Sequence, residues 1–174
     1  LPLEQYQDVE IHNMYKKRLT EGYPEEEILR SIYAKGRDNA RTPMQWSDEA
    51  NAGFTTGTLW LPVNPNYTTI NAEVALADPD SVFWHYKKLI ALRKEYPVFV
   101  EGDFTLLEEE HPNLFVYQRG MEEEQLLVVC NFGGGETCWP MPTQWQDALV
   151  LISNYPNRAG ALRPWEALVL LIGE

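Results

Sequence analysis

After residue 102, short apolar runs alternate with turn residues, which is the pattern of β-strands joined by tight connections. Residues 120–124 and the three glycines at 133–135 are predicted to form turns between strands. Several short strands with regular turn signals predict an antiparallel sandwich or barrel. The predicted strands span residues 104–107, 114–119, 126–132, 148–153 and 165–172.

The first hundred residues follow a helical spacing instead. Residues 4–19 have loose helical spacing, and a second helix is predicted after Pro24, where three glutamates suit the positive end of a helix dipole. A third helix follows residues 78–81 and stops at Tyr96-Pro97. Its predicted apolar face consists of Val82, Phe83, Tyr86, Leu89 and Ile90. We place a domain boundary near residue 101, between a helical and loop part (1–101) and an all-β part (102–174).

Residues 36–77 between the helices carry little periodicity, and such long connections are usually functional or disordered. Their aromatic residues argue for an ordered functional loop. Residues 36–46, GRDNARTPMQW, combine two arginines, an aspartate, two amides and a tryptophan. An arginine fork beside carboxylate and amide groups suits a hydroxyl-rich ligand, and a tryptophan face suits a sugar ring. The alternative is a buried Arg–Asp network that fixes a long connection.

The composition limits the classes of partner. A formal charge of −12 and an isoelectric point near 4.7 argue against nucleic acid and anionic membranes and fit a neutral ligand. No apolar run reaches the roughly 20 residues of a membrane span, and no signal peptide is evident, so we expect a cytoplasmic protein. Cys130 and Cys138 are expected to be free, buried thiols, with a disulfide as the alternative. The glutamate clusters are interpreted as solvated, so we expect no metal and no cofactor.

The run GRDNARTPMQW, followed by NAGFT at 51–55 and VNPNY at 63–67, resembles the α-glucosidase branch of the α-amylase superfamily. Oligo-1,6-glucosidases, dextran glucosidases and trehalose-6-phosphate hydrolases share that run. The resemblance covers most of the chain, because residues 8–10, 13–15, 81–94 and 162–167 also match.

This resemblance implies a C-terminal fragment of an α+β character. It would hold the last loop and helices of a (β/α)8 barrel, with residues 81–95 as the last barrel helix, followed by an antiparallel β-sandwich domain. The start at Leu1, without an initiator methionine, fits a piece of a longer protein. Retaining hydrolysis needs two carboxyl groups about 5 Å apart. The family's nucleophile, acid and Asn-His-Asp segments and its calcium loop are absent from this sequence.

The resemblance therefore implies a retaining α-glucosidase parent that hydrolyses α-1,6-glucosides or trehalose 6-phosphate, whereas this chain alone is expected to be inactive. Apolar helix faces that the missing barrel would cover predict self-association of the fragment. The alternative is a β-domain that binds carbohydrate or is purely structural. Trp139, Trp145 or Trp165 would stack on the sugar in the first case and would pack the domain in the second.

Four residues form the substrate-binding set that the resemblance implies. Arg37 matches the arginine that grips the non-reducing glucose and pairs with an aspartate outside this chain. For Arg41 we expect a salt bridge to Asp38 or to a barrel carboxylate. Gln45 and Trp46 complete the set, and Trp46 has loop anchoring as its alternative. Arg163 is predicted to be a structural arginine that ties the last strand to its surroundings.

Overall fold

In the computed structural model, which describes residues 1–173, the first helix, α1 (Val9–Thr20), begins directly after Asp8. The Asp8 carboxylate accepts a hydrogen bond from the backbone N–H of Glu10 at 3.0 Å, so Asp8 is the N-cap. The helix starts later than the sequence pattern predicted, because Leu3–Gln5 forms a separate 3-10 turn. Helix α2 (Glu25–Lys35) follows Pro24, which occupies the N-cap position and not the predicted first helical position.

The two helices bury a small apolar core formed by Tyr6, Ile11, Ile28 and Ile32. Gly36, directly after α2, allows the next segment to pass close to this core. A Cβ atom at Gly36 would lie 2.8 Å from the carbonyl oxygen of Ile32 and 2.9 Å from the Tyr6 ring. A side chain at position 36 would therefore displace the chain at the point where the arginine-rich segment begins.

Residues 36–77 form an ordered connection of short elements, so the predicted order of this segment is confirmed, whereas its function stays a prediction. It holds 3-10 segments at Arg37–Ala40, Ala50–Gly53 and Pro65–Thr68, and then the short helix α3 (Ala72–Ala77). Asn51 and Ala52 have φ angles of 55° and 57°, which non-glycine residues rarely adopt. The buried Ala52 carbonyl accepts the N–H groups of Trp46 and Ser47, at 2.9 and 3.2 Å, which holds this strained turn in place.

The structure divides into two compact units, Leu1–Ser81 and a second unit that starts at Val82. The second unit begins with α4 (Val82–Glu95) and α5 (Val98–Glu101). Leu92 of α4 is buried, but the apolar face predicted for this helix is largely exposed, with Val82 at 83% and Tyr86 at 64% exposure. The boundary predicted near residue 101 separates a barrel part from a β-domain, which is not the same division as the one after Ser81. It stays a prediction.

Five antiparallel strands follow α5, and the five predicted strands are confirmed. The strands form one sheet in the order β1-β2-β3-β5-β4. The β2–β3 connection is a two-residue turn at Glu122-Glu123, with Glu122 at φ 52°. The strands are β1 (Asp103–Leu106), β2 (Leu114–Met121), β3 (Glu124–Asn131), β4 (Leu149–Ser153) and β5 (Ala167–Ile172).

Both faces of this sheet carry apolar clusters. On β3, Leu126 and Val128 face the cluster that contains Leu92 and Val98 of the helices, whereas Leu127 and Val129 face the cluster around Trp145. The second face is covered by the segment around Trp145 and by an isolated bridge between Thr137 and Leu162, and no second sheet is present among residues 1–173. The antiparallel character is thus observed, whereas the predicted sandwich is not confirmed.

Two smaller predictions concern cysteine and arginine side chains. Both cysteines are free, but Cys130 is only partly buried and Cys138 is exposed, so the expectation of a buried thiol is wrong for Cys138. Arg163 has a structural role: it pairs with the buried Glu166 at 2.7 Å, and its guanidinium lies 3.9 Å from the centre of the Tyr155 ring. These contacts fix the loop that precedes β5. None of the helices between residues 1 and 173 is long and apolar enough to cross a membrane.

Candidate functional site

The candidate site lies in the first unit, where Arg37 is held by two carboxylates. Arg37 Nε donates to Asp8 Oδ2 at 2.8 Å, and Nη2 donates to Asp8 Oδ1 at 3.0 Å. Nη2 also lies 2.8 Å from Glu10 Oε2. A two-pronged contact of this kind fixes the plane of the guanidinium as well as its position. Within residues 1–173, Asp8 and Glu10 supply the charge that pairs with Arg37, whereas the expected pairing with an aspartate outside this chain stays a prediction.

The contact between Arg37 and Asp8 shifts the pKa of both groups. The hydrogen bonds from Arg37 lower the pKa of Asp8, and those to Asp8 raise the pKa of Arg37. Both groups therefore stay ionised through the neutral range. The Arg37 side chain remains 53% exposed, and Nη1 takes no part in the three contacts.

Asp38 is the fully buried centre of this network. Its Oδ2 accepts the backbone N–H groups of Gln7 and Asp8, at 2.7 and 2.9 Å. Its Oδ1 lies 3.4 Å from Nη1 of Arg41, which agrees with the salt bridge considered for Arg41. Tyr6 donates its hydroxyl to Asn39 at 2.8 Å in the same region. The Arg–Asp network proposed as the alternative for this segment is thus present, and it leaves parts of both arginines exposed.

Gln45 and Trp46 lie at the other end of the segment, against α3. Gln45 Nε2 donates to Asn66 Oδ1 at 3.1 Å and also to the carbonyl of Ile70. The carbonyls of Gln45 and Trp46 accept N–H groups from Ala72 and Glu73, at the start of α3. The backbone of Trp46 therefore anchors the loop, whereas its indole is 53% exposed. Gln45 is engaged in the loop itself, and among residues 1–173 no hydrogen bond or ion pair joins it or Trp46 to the Arg37 cluster.

A cleft of about 250 Å³ lies beside Arg37, between α1 and the end of α2. Its charged lining residues are Asp8, Glu10, Lys35 and Arg37, so the formal charges cancel. Ser31 and the apolar side chains of Ile11, Met14 and Ile32 complete much of the wall. A lining with balanced charge and hydrogen-bonding groups suits a neutral polar ligand better than an anion.

Sequence reasoning missed Asp8 and Glu10 as site residues. They belong to a matching segment, but nothing local shows that they reach Arg37, which is 29 residues from Asp8. The signal that could have found these residues is the pair of acids at the start of α1, because this pair has no basic residue close to it in the sequence. No group of three or more His, Cys, Asp or Glu side chains able to hold a metal ion occurs within residues 1–173.

Comparison with known proteins identifies the family. Residues 5–102 match the alpha amylase catalytic domain. The chain belongs to the alpha-amylase family. Oligo-1,6-glucosidase of Halalkalibacterium halodurans is 49% identical over 97% of this chain, which covers 32% of that protein.

Solved structures from this family share the fold of the chain. The trehalose-6-phosphate hydrolase of Bacillus licheniformis superposes with a TM-score of 0.89 at 45% identity, covering 98% of this chain and 32% of that one. The trehalulose synthase of Pseudomonas mesoacidophila superposes with a TM-score of 0.90 at 36% identity, covering 97% of this chain and 32% of that one. The chain thus spans about a third of the length of the relatives it matches.

Proposed function

We propose that this chain is part of a retaining α-glucosidase that hydrolyses short α-linked glucosides in the cytoplasm. The observation that carries the proposal is the Arg37–Asp8–Asp38 network, within a chain that matches proteins named oligo-1,6-glucosidase and trehalose-6-phosphate hydrolase. Residues 1–101 would complete the catalytic barrel, and residues 102–174 would form its C-terminal β-domain. The balanced charge of the Arg37 cleft favours an uncharged α-1,6-glucoside over trehalose 6-phosphate.

The chain by itself is proposed to be inactive, for a chemical reason. Retaining hydrolysis needs one carboxylate that is free to attack the anomeric carbon and one protonated carboxyl group that protonates the oxygen of the leaving group. Asp8 and Glu10 are paired with Arg37, and both oxygens of Asp38 are engaged in hydrogen bonds. These groups can shape a binding site, but they are not arranged as a nucleophile and an acid. The remaining two thirds of a relative-sized protein would have to supply that pair.

The two arginines are proposed to have different roles. Arg37 is fixed by three contacts and offers Nη1 to a ligand. Arg41 has a single long side-chain contact, of 3.4 Å to Asp38, so more of its donors are left for a substrate hydroxyl. We therefore keep both as substrate-binding candidates, with Gln45 and Trp46 at the rim of the same loop.

Sequencing the reading frame upstream of Leu1 tests the proposal most directly. A frame that continues through a barrel with a nucleophile aspartate, an acid glutamate and an Asn-His-Asp segment would support it. A start codon immediately before Leu1 would contradict it. Where the longer protein exists, isomaltose and trehalose 6-phosphate would be compared as substrates, with the 174-residue chain as the inactive control.

In that longer protein, Arg37→Ala is expected to lower kcat/KM on short glucosides about a hundredfold, because a charge-assisted contact to the bound sugar is lost and the site loosens. Arg30→Ala is the matched control, because Arg30 forms an exposed pair with Glu26 on α2. An unchanged kcat/KM in the Arg37 variant would remove Arg37 from the site.

For the β-domain we propose a structural role. Trp145 is buried in the sheet core, and Trp139 is half-buried and donates Nε1 to Glu108 at 2.7 Å. Trp165 is 61% exposed, so it is the tryptophan of this domain that keeps the carbohydrate-binding alternative open. The exposed apolar face of α4 is consistent with cover by the rest of a barrel, or with self-association of the isolated chain.

A further inference from the structure

We infer a second carbohydrate-binding site in the first unit, an open cleft built around Trp60 that holds a neutral glucosyl residue. The cleft has a volume of about 570 Å³, within the range of small-molecule sites. Trp60 is 64% exposed, and the cleft is also lined by Gln5, Gln7, Asn51 and Thr58. The candidate set derived from the sequence does not include any of these residues.

The chemistry of the lining matches a sugar. An exposed indole offers an apolar face to the C–H groups on one side of a pyranose ring. Amide and hydroxyl side chains offer both donors and acceptors, as ring hydroxyls require. Glu4 is the single charged residue of the lining, and no cation lines the cleft among residues 1–173, so a phosphate or carboxylate ligand would be disfavoured.

The backbone of the cleft is held rigidly. Leu61, next to Trp60, is buried, which fixes the backbone beside the exposed Trp60 side chain. Asn51 is fixed in the left-handed conformation, and its Nδ2 donates to the Thr55 carbonyl at 3.0 Å and the Gly57 carbonyl at 3.4 Å. Consecutive left-handed non-glycine residues cost conformational energy, and such strain concentrates at ligand-binding segments. The turn thus fixes the part of the lining that Asn51 and Gly57 contribute.

The position of the cleft connects it with the Arg37 site. Gln7 lines the Trp60 cleft, whereas its neighbour Asp8 lines the Arg37 cleft. The backbone N–H groups of both residues donate to Asp38, so one short segment borders both clefts and is fixed at its centre. A sugar bound at Trp60 would be an outer residue of a longer glucoside. This last point rests on the proposed function, whereas sugar binding at Trp60 does not.

Titration of the 174-residue chain with isomaltose, followed by tryptophan fluorescence, tests the site. A saturable change with a dissociation constant on the order of 1 mM is expected, and sorbitol, a linear polyol without a ring face, is expected to give none. Trp60→Ala should weaken binding about tenfold, because the ring contact is lost, whereas Trp60→Tyr should stay within about threefold of the wild type. Since fluorescence changes when a tryptophan is removed, affinities of the variants are measured by calorimetry.

Trp165→Ala is the matched control, because Trp165 is equally exposed but lies in the second unit. It should bind isomaltose as the wild type does. Gln5→Ala provides a variant that removes a lining amide without touching the indole, and binding about threefold weaker is expected. Wild-type affinity in Trp60→Ala, loss of binding in Trp165→Ala, or no saturation of the wild type by about 50 mM sugar would overturn the inference.

The outcome is separable from that of the proposed function, because binding is measured without turnover. A longer protein with no glucosidase activity, whose chain nevertheless binds isomaltose through Trp60, would leave this site in place and contradict only the proposed function. An active longer protein whose Trp60→Ala chain binds like the wild type would contradict only this inference.

Discussion

The sheet of the second unit and the loop of the first unit are stabilised by different physics. The sheet buries apolar side chains on both faces, as on β3, where Leu126 and Leu127 point to opposite clusters and are fully buried. The loop at 36–77 has few buried apolar residues and is held by Asp38, Asn51 and Asn71, whose side chains bond the backbone. Apolar burial is non-directional, whereas a buried carboxylate fixes specific groups in specific places. A binding site therefore suits the loop, and a scaffold suits the sheet.

The largest effect is expected from the sheet core. Trp145→Ala should lower the free energy of unfolding of the second unit by about 4 kcal/mol, because a large, almost fully buried side chain leaves a cavity. Urea denaturation followed by circular dichroism would measure it. Trp165→Ala, at an exposed position, is expected to change stability by less than about 0.5 kcal/mol. Equal losses in the two variants would contradict the assignment of Trp145 to the core.

The next largest effect tests the polar network of the loop. Asp38→Ala should destabilise the first unit by about 3 kcal/mol, since the N–H groups of Gln7 and Asp8 lose their buried acceptor. Hydrogen exchange of these two amides should accelerate together. Asp48→Ala, which removes an exposed aspartate from the same loop, is the control and should leave exchange at residues 7 and 8 unchanged.

Acidification should weaken both units through their salt bridges. The hydrogen bonds from Arg37 lower the pKa of Asp8. Burial alone would raise the pKa of Glu166, but the hydrogen bonds and charge of Arg163 together outweigh it and lower that pKa. Both carboxyl groups have lower pKa values in the folded state than their ordinary pKa values of 3.8 and 4.5. The stabilisation that they contribute is therefore complete above these ordinary pKa values, and it is lost as the pH falls from there through the lowered pKa values of the folded state.

Thermal denaturation between pH 6 and pH 3 would detect this loss, with Glu166→Gln as the diagnostic variant. This variant should be less stable than the wild type at pH 6, and its stability should fall less steeply below pH 4.5. A parallel pH profile for the two proteins would show that Glu166 does not titrate with folding.

The smallest effect concerns the β2–β3 turn. Glu122 has a φ angle of 52°, which glycine adopts without steric cost, so Glu122→Gly should stabilise the second unit by about 1 kcal/mol. Glu123→Gly is the matched control and should be neutral or slightly destabilising, because position 123 does not have a positive φ. Stabilisation by Glu123→Gly and not by Glu122→Gly would show that Glu122 is not the strained residue of the turn.

The strands were predictable because their information is local. Alternation and short apolar runs define β1 to β5 within a residue or two, and turn residues separate them. The sandwich was not predictable in the same way, because the second face is covered by the irregular segment around Trp145, which carries no period. The helix α4 was predicted from its spacing, but the exposure of its apolar face depends on what else is present to cover it.

The sequence by itself determined the five strands, the helices α2 and α4, the family through the run at 36–46, and the two arginines as candidates. Tertiary structure decided which acids hold Arg37, the burial of Asp38 and the cleft at Trp60. The physical reason is the distance along the sequence over which each kind of interaction acts. Periodicity and turn chemistry act over a few neighbouring residues, whereas the Asp8–Arg37 pair joins residues 29 positions apart that only the packing of α1 on α2 brings together.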